Sequence, residues 1–114
     1  RGGVIDGENN NKVKNVQLES DAIKLGKIYV DKPSTFSTKF RNANIRPISV
    51  VVEPECDCTT VFPNDFTISS KSGINVKGSI VVDKEGPFEK YLYVRMKGRD
   101  DFQTIVIKGT AVLN

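Results

Sequence analysis

Apolar and polar residues alternate with a period of two along most of the chain after residue 13. In residues 74–80 every second residue is apolar or glycine, and the residues between them are polar. The same alternation recurs in residues 16–19, 36–41 and 92–96, and Ile105 and Ile107 repeat its apolar positions near the C-terminus. Because successive side chains of a strand point to opposite faces, each segment has one apolar face and one solvated face. No segment keeps the apolar spacing of a helix for long, so the pattern predicts an all-β protein.

Turn-forming residues separate the alternating segments at short intervals. Asn42-Ala43-Asn44 predicts a tight turn, since asparagine tolerates the left-handed backbone that such turns need. Residues 83–87 and residues 98–101 each contain a glycine and predict hairpin connections. Short strands joined by such turns are typical of a sandwich. The sequence therefore predicts an immunoglobulin-like antiparallel β-sandwich of about seven strands.

Residues 1–13 differ from the rest of the chain. They are rich in glycine, asparagine and alternating charge, and they contain almost nothing to bury. Such a composition is typical of a flexible tether, so we expect residues 1–13 to be a tether and residues 14–114 to be one domain. The sequence begins with Arg1 rather than Met, as expected if a signal segment had been removed or the chain trimmed.

The composition excludes several classes of protein. The chain has 114 residues and no histidine, which excludes a Ser-His-Asp triad, a Cys-His pair and a histidine metal site. Its 17 Lys and Arg against 14 Asp and Glu give a net charge of +3, and the basic residues are scattered singly. A nucleic-acid-binding surface concentrates them in one stripe, so we expect no nucleic-acid partner. No run of about 18 apolar residues exists, so we expect no transmembrane segment.

Two pairs of carboxylates are the remaining candidates for catalysis. Asp100 and Asp101 lie in a turn signal, where aspartate is expected for reasons of backbone geometry. Glu53 and Glu55 flank Pro54, which indicates the end of a strand. Nothing in the sequence gives the two members of either pair the different surroundings that acid–base catalysis requires. We therefore expect no enzymatic activity and no cofactor.

The two cysteines, Cys56 and Cys58, are separated by one residue. In an extended strand their Cα atoms would lie roughly 6.5 Å apart, so a disulfide between them needs a local bend. Four interpretations stay open: a reduced pair that packs as small apolar side chains, a local disulfide, a thiol-redox site, and a site for Cu(I). The flanking Glu55 and Asp57 disfavour a reactive thiolate, which cations stabilise. Zinc is disfavoured because a structural zinc ion needs four ligands.

A row of three residues is the candidate surface for binding a partner. If Leu92 and Val94 point into the core, Tyr91, Tyr93 and Arg95 form an outward-facing row. Tyr and Arg are among the residues most enriched at the energetic centres of protein interfaces. A competing interpretation is that the tyrosines only pair with cross-strand neighbours. An unpaired edge strand of the sandwich offers a second route to association, by adding a strand from another copy of the chain.

Several motifs resemble those of a known family. Cys56-Asp57-Cys58-Thr59-Thr60 resembles the Cys-Gly-Cys-Thr hallmark of a bacterial immunoglobulin-like domain family of unknown function, which is related to hydin-like and major-sperm-protein-like sandwiches. Asp57 stands where that family has glycine. The surrounding motifs match in order: Leu25-Gly26-Lys27-Ile28, Phe36 to Asn42 with Pro47-Ile48, Gly86-Pro87-Phe88-Glu89-Lys90, and Ile105-Val106-Ile107-Lys108-Gly109.

The resemblance implies an exported bacterial protein, either secreted or held in the periplasm or cell envelope, of a family whose members are often anchored by a lipid upstream of a tether. It implies no enzymatic activity and no assigned ligand. Together with the missing catalytic groups, it favours a non-catalytic binding or scaffolding module that contacts another envelope protein or a second copy of itself. The alternative is a thiol-redox or Cu(I)-binding protein that uses Cys56 and Cys58.

Overall fold

The structure, a computed structural model, describes residues 15–114. The predicted tether of residues 1–13 lies outside the described residues. The described part contains nine strands: β1 (Gln17–Leu18), β2 (Ala22–Tyr29), β3 (Ser34–Arg41), β4 (Ile48–Pro54), β5 (Thr59–Phe62), β6 (Asp65–Ile68), β7 (Gly73–Ile80), β8 (Gly86–Met96) and β9 (Phe102–Val112). They form a four-stranded sheet, β1-β3-β7-β5, and a five-stranded sheet, β2-β9-β8-β4-β6.

The apolar faces of the two sheets enclose one core, which confirms the predicted immunoglobulin-like β-sandwich, with nine strands in the described part where about seven were predicted. The alternation seen in the sequence is the alternation between buried and exposed side chains: Phe36 and Phe40 are buried on β3, and Leu92 and Val94 on β8. Neighbouring strands run antiparallel except β2 and β9, which are parallel. The fully buried side chains come from both sheets: Phe40, Val50, Val76, Ile80, Leu92, Ile105, Ile107 and Ala111.

The connections between strands differ from those predicted. In the described part, only β8 and β9 are consecutive strands paired with each other, and residues 98–101 form the predicted hairpin with Gly98 at a φ of 84°. Every other connection crosses from one sheet to the other. The hairpin predicted at residues 83–87 is therefore wrong, because β7 and β8 lie in different sheets. Gly86 there does adopt a positive φ, 119°, so turn chemistry marks the bend but not the pairing.

The turn predicted at Asn42 exists for a different reason from the one expected. Neither Asn42 nor Asn44 is among the residues with a positive φ. Asn42 is instead fully buried, and its side-chain amide donates hydrogen bonds to the carbonyl oxygens of Arg46 at 2.8 Å, Ile68 at 3.0 Å and Ser69 at 3.2 Å. Its own oxygen accepts a 2.8 Å hydrogen bond from the backbone of Asn44. Asn42 therefore fastens the β3–β4 connection to the β6–β7 connection.

Strand β2 is irregular where it pairs with β9. The register shifts between Lys24 and Gly26, and Gly26 has a φ of 69°. Opposite it, a Cβ on Gly109 would lie 2.6 Å from the carbonyl oxygen of Gly26 and 3.0 Å from the ring of Phe88. Only glycine fits at residue 109 without displacing the neighbouring backbone.

Candidate functional sites

The predicted row of Tyr91, Tyr93 and Arg95 lies on the outer face of the five-stranded sheet. The three side chains are half-buried and alternate with the buried Leu92 and Val94 on β8. Strand β8 lies between β9 and β4 in the sheet, and its pairing with both strands fixes the position of the row.

Phe102 joins this row, although nothing in the sequence analysis identified it. It is the first residue of β9 and lies directly opposite Arg95 in the β8–β9 register. Its ring packs edge-to-face against Tyr93, with 5.2 Å between ring centroids and an interplanar angle of 77°. Phe102 is nevertheless 57% exposed. We call Tyr91, Tyr93, Arg95 and Phe102 the aromatic patch.

The charges around the aromatic patch are paired within the protein. Arg95 Nη2 lies 3.1 Å from Glu53 Oε1, and Glu53 is the residue opposite Tyr93 on β4. Lys97, just past the end of β8, forms an ion pair with Asp65 at 3.0 Å. The cations beside the patch therefore already have anionic partners, and its aromatic rings are its distinctive groups.

The outer face of the four-stranded sheet has a different composition. In its central pair, β3 and β7, Ser37 lies opposite Lys77 and Lys39 lies opposite Asn75, and all four residues are exposed. Small and charged polar side chains of this kind are typical of a solvated sheet face. The central strands of this face are thus polar and provide control positions, and its edge strand β5 carries one exposed aromatic residue, Phe62, opposite Lys77.

The two cysteines lie in residues 55–58, the connection that carries the chain from β4 to β5. They are joined by a disulfide, with 5.2 Å between their Cα atoms. This separation is shorter than that of an extended strand, so the connection has the bend that a bridge requires. The backbone N–H of Cys58 donates to Cys56 Sγ at 3.1 Å, and Cys58 Sγ lies 3.6 Å from the hydroxyl of Thr59.

An open depression of about 380 Å³ lies beside the disulfide. Lys90, on β8, lines the same depression as the two cysteines, a cation that the sequence did not connect with them. Lys90 has the parity of the buried Leu92 on β8 and is half-buried, and a lysine at an inward position was the signal available in the sequence. The depression is lined by Cys56, Cys58, Val81, Val82, Asp83 and Lys90.

The two carboxylate pairs considered for catalysis lie in different parts of the molecule, and one member of each forms an ion pair. Glu53 pairs with Arg95, and Asp101 pairs with Arg99 at 3.0 Å in the β8–β9 hairpin. Across residues 15–114, no three Cys, Asp or Glu side chains converge on a point that would hold a metal ion. Within the same residues, no helix has the length and apolar character needed to cross a bilayer.

The fold is similar to that of several solved structures. A PapD-like domain of human CEP192 has a TM-score of 0.72 and 8% identity, covering 91% of this chain and 92% of its own. WR4, a member of the MSP family of C. elegans, has a TM-score of 0.56 and 9% identity, covering 85% and 97%. The E. coli chaperone DraB has a TM-score of 0.65 and 13% identity, and the alignment covers 90% of this chain and 56% of DraB. At these identities the likeness extends to the fold alone.

The sequence itself matches a family. The profile described as "protein of unknown function (DUF1573)" matches residues 16–111, which include the cysteine pair and the aromatic patch. The Cys-Gly-Cys-Thr hallmark is not part of what this match shows and stays a prediction. No curated protein matches the sequence.

Proposed function

The chain belongs to the DUF1573 family of proteins of unknown function, and we propose that it is a non-catalytic protein-binding module whose aromatic patch contacts a partner protein. The observation that carries the proposal is the edge-to-face pair of the half-buried Tyr93 and the exposed Phe102 on the outer face of the five-stranded sheet. Aromatic side chains contribute large contact areas and are enriched, with arginine, at the centres of interfaces.

The chemistry of the patch favours a protein surface with apolar groups as the partner. Arg95 and Lys97 are neutralised by Glu53 and Asp65, so the patch offers no free cationic stripe to a polyanion. A partner can bury the rings of Tyr93 and Phe102 without breaking an ion pair, because Arg95 and Lys97 keep Glu53 and Asp65 as partners. The free-energy cost of removing charge from water is therefore small. The similarity in fold to the chaperone DraB supports a protein partner.

The expected compartment belongs to the same proposal. The resemblance to envelope proteins favours an exported chain, held in the periplasm or cell envelope through its N-terminal segment. An envelope protein is accordingly the partner that we propose for the patch.

Site-specific cross-linking tests the patch directly. A photoreactive benzoylphenylalanine would replace Phe102 in one protein and Ser37, on the polar outer face, in a second. We expect a discrete cross-linked envelope protein from position 102 and none from position 37. With that partner purified, Tyr91→Ala with Tyr93→Ala should weaken binding by about 30-fold or more, as for an interface centre.

Stability measurements separate binding from folding. Loss of the Tyr93–Phe102 contact should lower the free energy of unfolding by only about 1 kcal/mol. Ser37→Ala with Lys77→Ala is the matched control and should leave binding unchanged. Equal cross-linking at both positions, or an affinity that falls only as the double variant unfolds, would contradict the proposal. A cross-linked homodimer would replace the envelope partner with a second copy of the chain.

A further inference from the structure

We propose that the Cys56–Cys58 disulfide is a redox site that oxidises thiol substrates by thiol–disulfide exchange. The substrate chemistry is a thiolate, supplied by a protein dithiol or by a small thiol. This site lies apart from the aromatic patch, so the inference stands or falls independently of partner binding by that patch, and it adds a reaction to a module that we otherwise propose to be non-catalytic.

The position of the bond argues against a purely structural purpose. It closes a ring between residues only two apart in sequence, and a disulfide that closes so short a loop removes little entropy from the unfolded chain. It does not join the two sheets. The connection is already held by backbone hydrogen bonds, from Thr59 N–H to the oxygen of Cys56 at 3.2 Å and from Val81 N–H to the oxygen of Cys58 at 3.0 Å.

The surroundings of the sulfurs suit a bond that opens. When the bond breaks, Cys56 Sγ can leave as a thiolate that still accepts the N–H of Cys58, which lies 3.1 Å away. The Thr59 hydroxyl lies 3.6 Å from Cys58 Sγ and can donate to it. Hydrogen-bond donors and nearby cations favour the thiolate form.

Lys90 supplies the cation that the sequence neighbours lack. Glu55 and Asp57 flank the pair in sequence, and both are exposed to solvent, which screens them. Asp83 adds a further carboxylate to the lining of the depression, also exposed. Lys90 is half-buried and is the one cationic residue among those that line the same depression. Both cysteines are half-buried rather than sealed, so a substrate thiolate can reach them.

The exchange balances in two steps. A substrate thiolate attacks Cys58 Sγ, a mixed disulfide forms, and Cys56 leaves as a thiolate. A second substrate thiolate, from the same dithiol or from another molecule of a small thiol, then attacks the substrate sulfur of the mixed disulfide, and Cys58 leaves as a thiolate. The substrate dithiol loses two electrons and two protons and becomes a disulfide, and Cys56 and Cys58 gain them as two thiols.

The first experiment is the intact mass of the native protein after alkylation, with and without prior reduction, together with elemental analysis for copper. We expect a bridged pair without metal, which alkylates only after reduction. Two free thiols that stay open under glutathione disulfide, or bound copper, would overturn the proposal.

The second experiment measures exchange itself and the part played by Lys90. The oxidised protein is equilibrated with defined ratios of reduced and oxidised glutathione, and separately with reduced, unfolded ribonuclease A as a dithiol protein. We expect Lys90→Gln to lower the equilibrium constant for reduction by glutathione about fivefold, the effect of one close charge that is screened as in bulk water. Lys108→Gln, on the outer face of the neighbouring strand β9, is the matched control and should change nothing.

The two substrates distinguish the source of the thiolate. Oxidation of ribonuclease thiols, with one substrate disulfide formed per chain reduced, would identify a protein dithiol as the substrate. Exchange with glutathione alone would identify a small thiol. A disulfide that resists both, or Lys90→Gln and Lys108→Gln variants that behave alike, would overturn the inference as we state it.

Discussion

Two connections between the sheets, at opposite ends of β4, are secured in opposite ways. The β3–β4 connection is held by Asn42, a fully buried amide that reaches carbonyl oxygens as far as 27 residues away in sequence. The β4–β5 connection contains the one covalent cross-link of the described residues, the Cys56–Cys58 disulfide, and that link reaches only two residues. The hydrogen bonds join distant segments, whereas the covalent bond joins near neighbours.

This difference between the two connections suggests that one contributes mainly to stability and the other mainly to reactivity. Removal of the Asn42 amide takes the side-chain donor away from several carbonyl groups at once, including that of Ile68, whose hydrogen bond is buried. A disulfide over three residues can open while every hydrogen-bonded ladder around it remains. We therefore expect the Asn42 end to be the fixed end of the sandwich and the disulfide end to be the chemically variable one.

Asn42→Ala should have the largest effect on stability. It leaves the carbonyl oxygens of Arg46 and Ile68 without their donors, and we expect the free energy of unfolding to fall by about 3 kcal/mol. Asn75→Ala removes the same side chain from the exposed outer face of β7 and is the matched control. Urea unfolding of both variants gives the comparison, and equal midpoints would refute a special role for Asn42.

Removal of the disulfide should cost less than removal of this one amide. For a closed loop of three residues the chain-entropy relation gives at most ~1.6 kcal/mol at 25 °C. Cys56→Ser with Cys58→Ser should therefore unfold at a midpoint between those of the wild-type protein and Asn42→Ala. A larger loss than that of Asn42→Ala would mean that the bridge is a structural staple, and the contrast between the two ends would disappear.

Ser70→Ala tests a second hydrogen bond between the two connections that Asn42 joins. The Ser70 hydroxyl donates to the carbonyl oxygen of Asn44 at 3.0 Å, a second link between the same two connections. We expect a loss of about 1 kcal/mol, the net contribution of one ordinary hydrogen bond. Ser37→Ala, on the outer face of β3, should be neutral. Thermal unfolding of the Ser70→Ala and Ser37→Ala variants tests this. Equal midpoints would mean that the Ser70 hydrogen bond does not stabilise the contact between the two connections.

Several strands could be predicted from the sequence, because their apolar positions recur at every second residue. The alternation around Val76, Leu92 and Ile105 identified strands and their buried faces correctly. Strand β2 was not apparent by alternation, because its bulge at Gly26 shifts the period between Leu25 and Ile28. Strand β4 was hidden as well, because Val51 extends the apolar run onto the outer face. Strands β5 and β6 have only four residues each, too few to establish a period.

The residues of the candidate sites also fall into two groups, those that the sequence identified and those that only the structure identified. Tyr91, Tyr93 and Arg95 followed from alternation along one strand, and Cys56 and Cys58 from their adjacency in sequence. Phe102 came to the aromatic patch only through the register of the β8–β9 hairpin. Lys90 came to the disulfide only because β8 passes the end of β4, more than 30 residues earlier in the chain.

The sequence by itself determined which residues alternate, hence the all-β class, the buried faces and the outward row on β8, because side-chain direction along a strand depends only on local backbone geometry. The tertiary structure alone decided which connections cross between the sheets, which carbonyl groups the amide of Asn42 reaches, and which cation lines the depression beside the cysteines. Those choices depend on contacts between segments far apart in the chain. The free energy of such contacts comes from burial and pairing across the assembled core, and no local pattern encodes it.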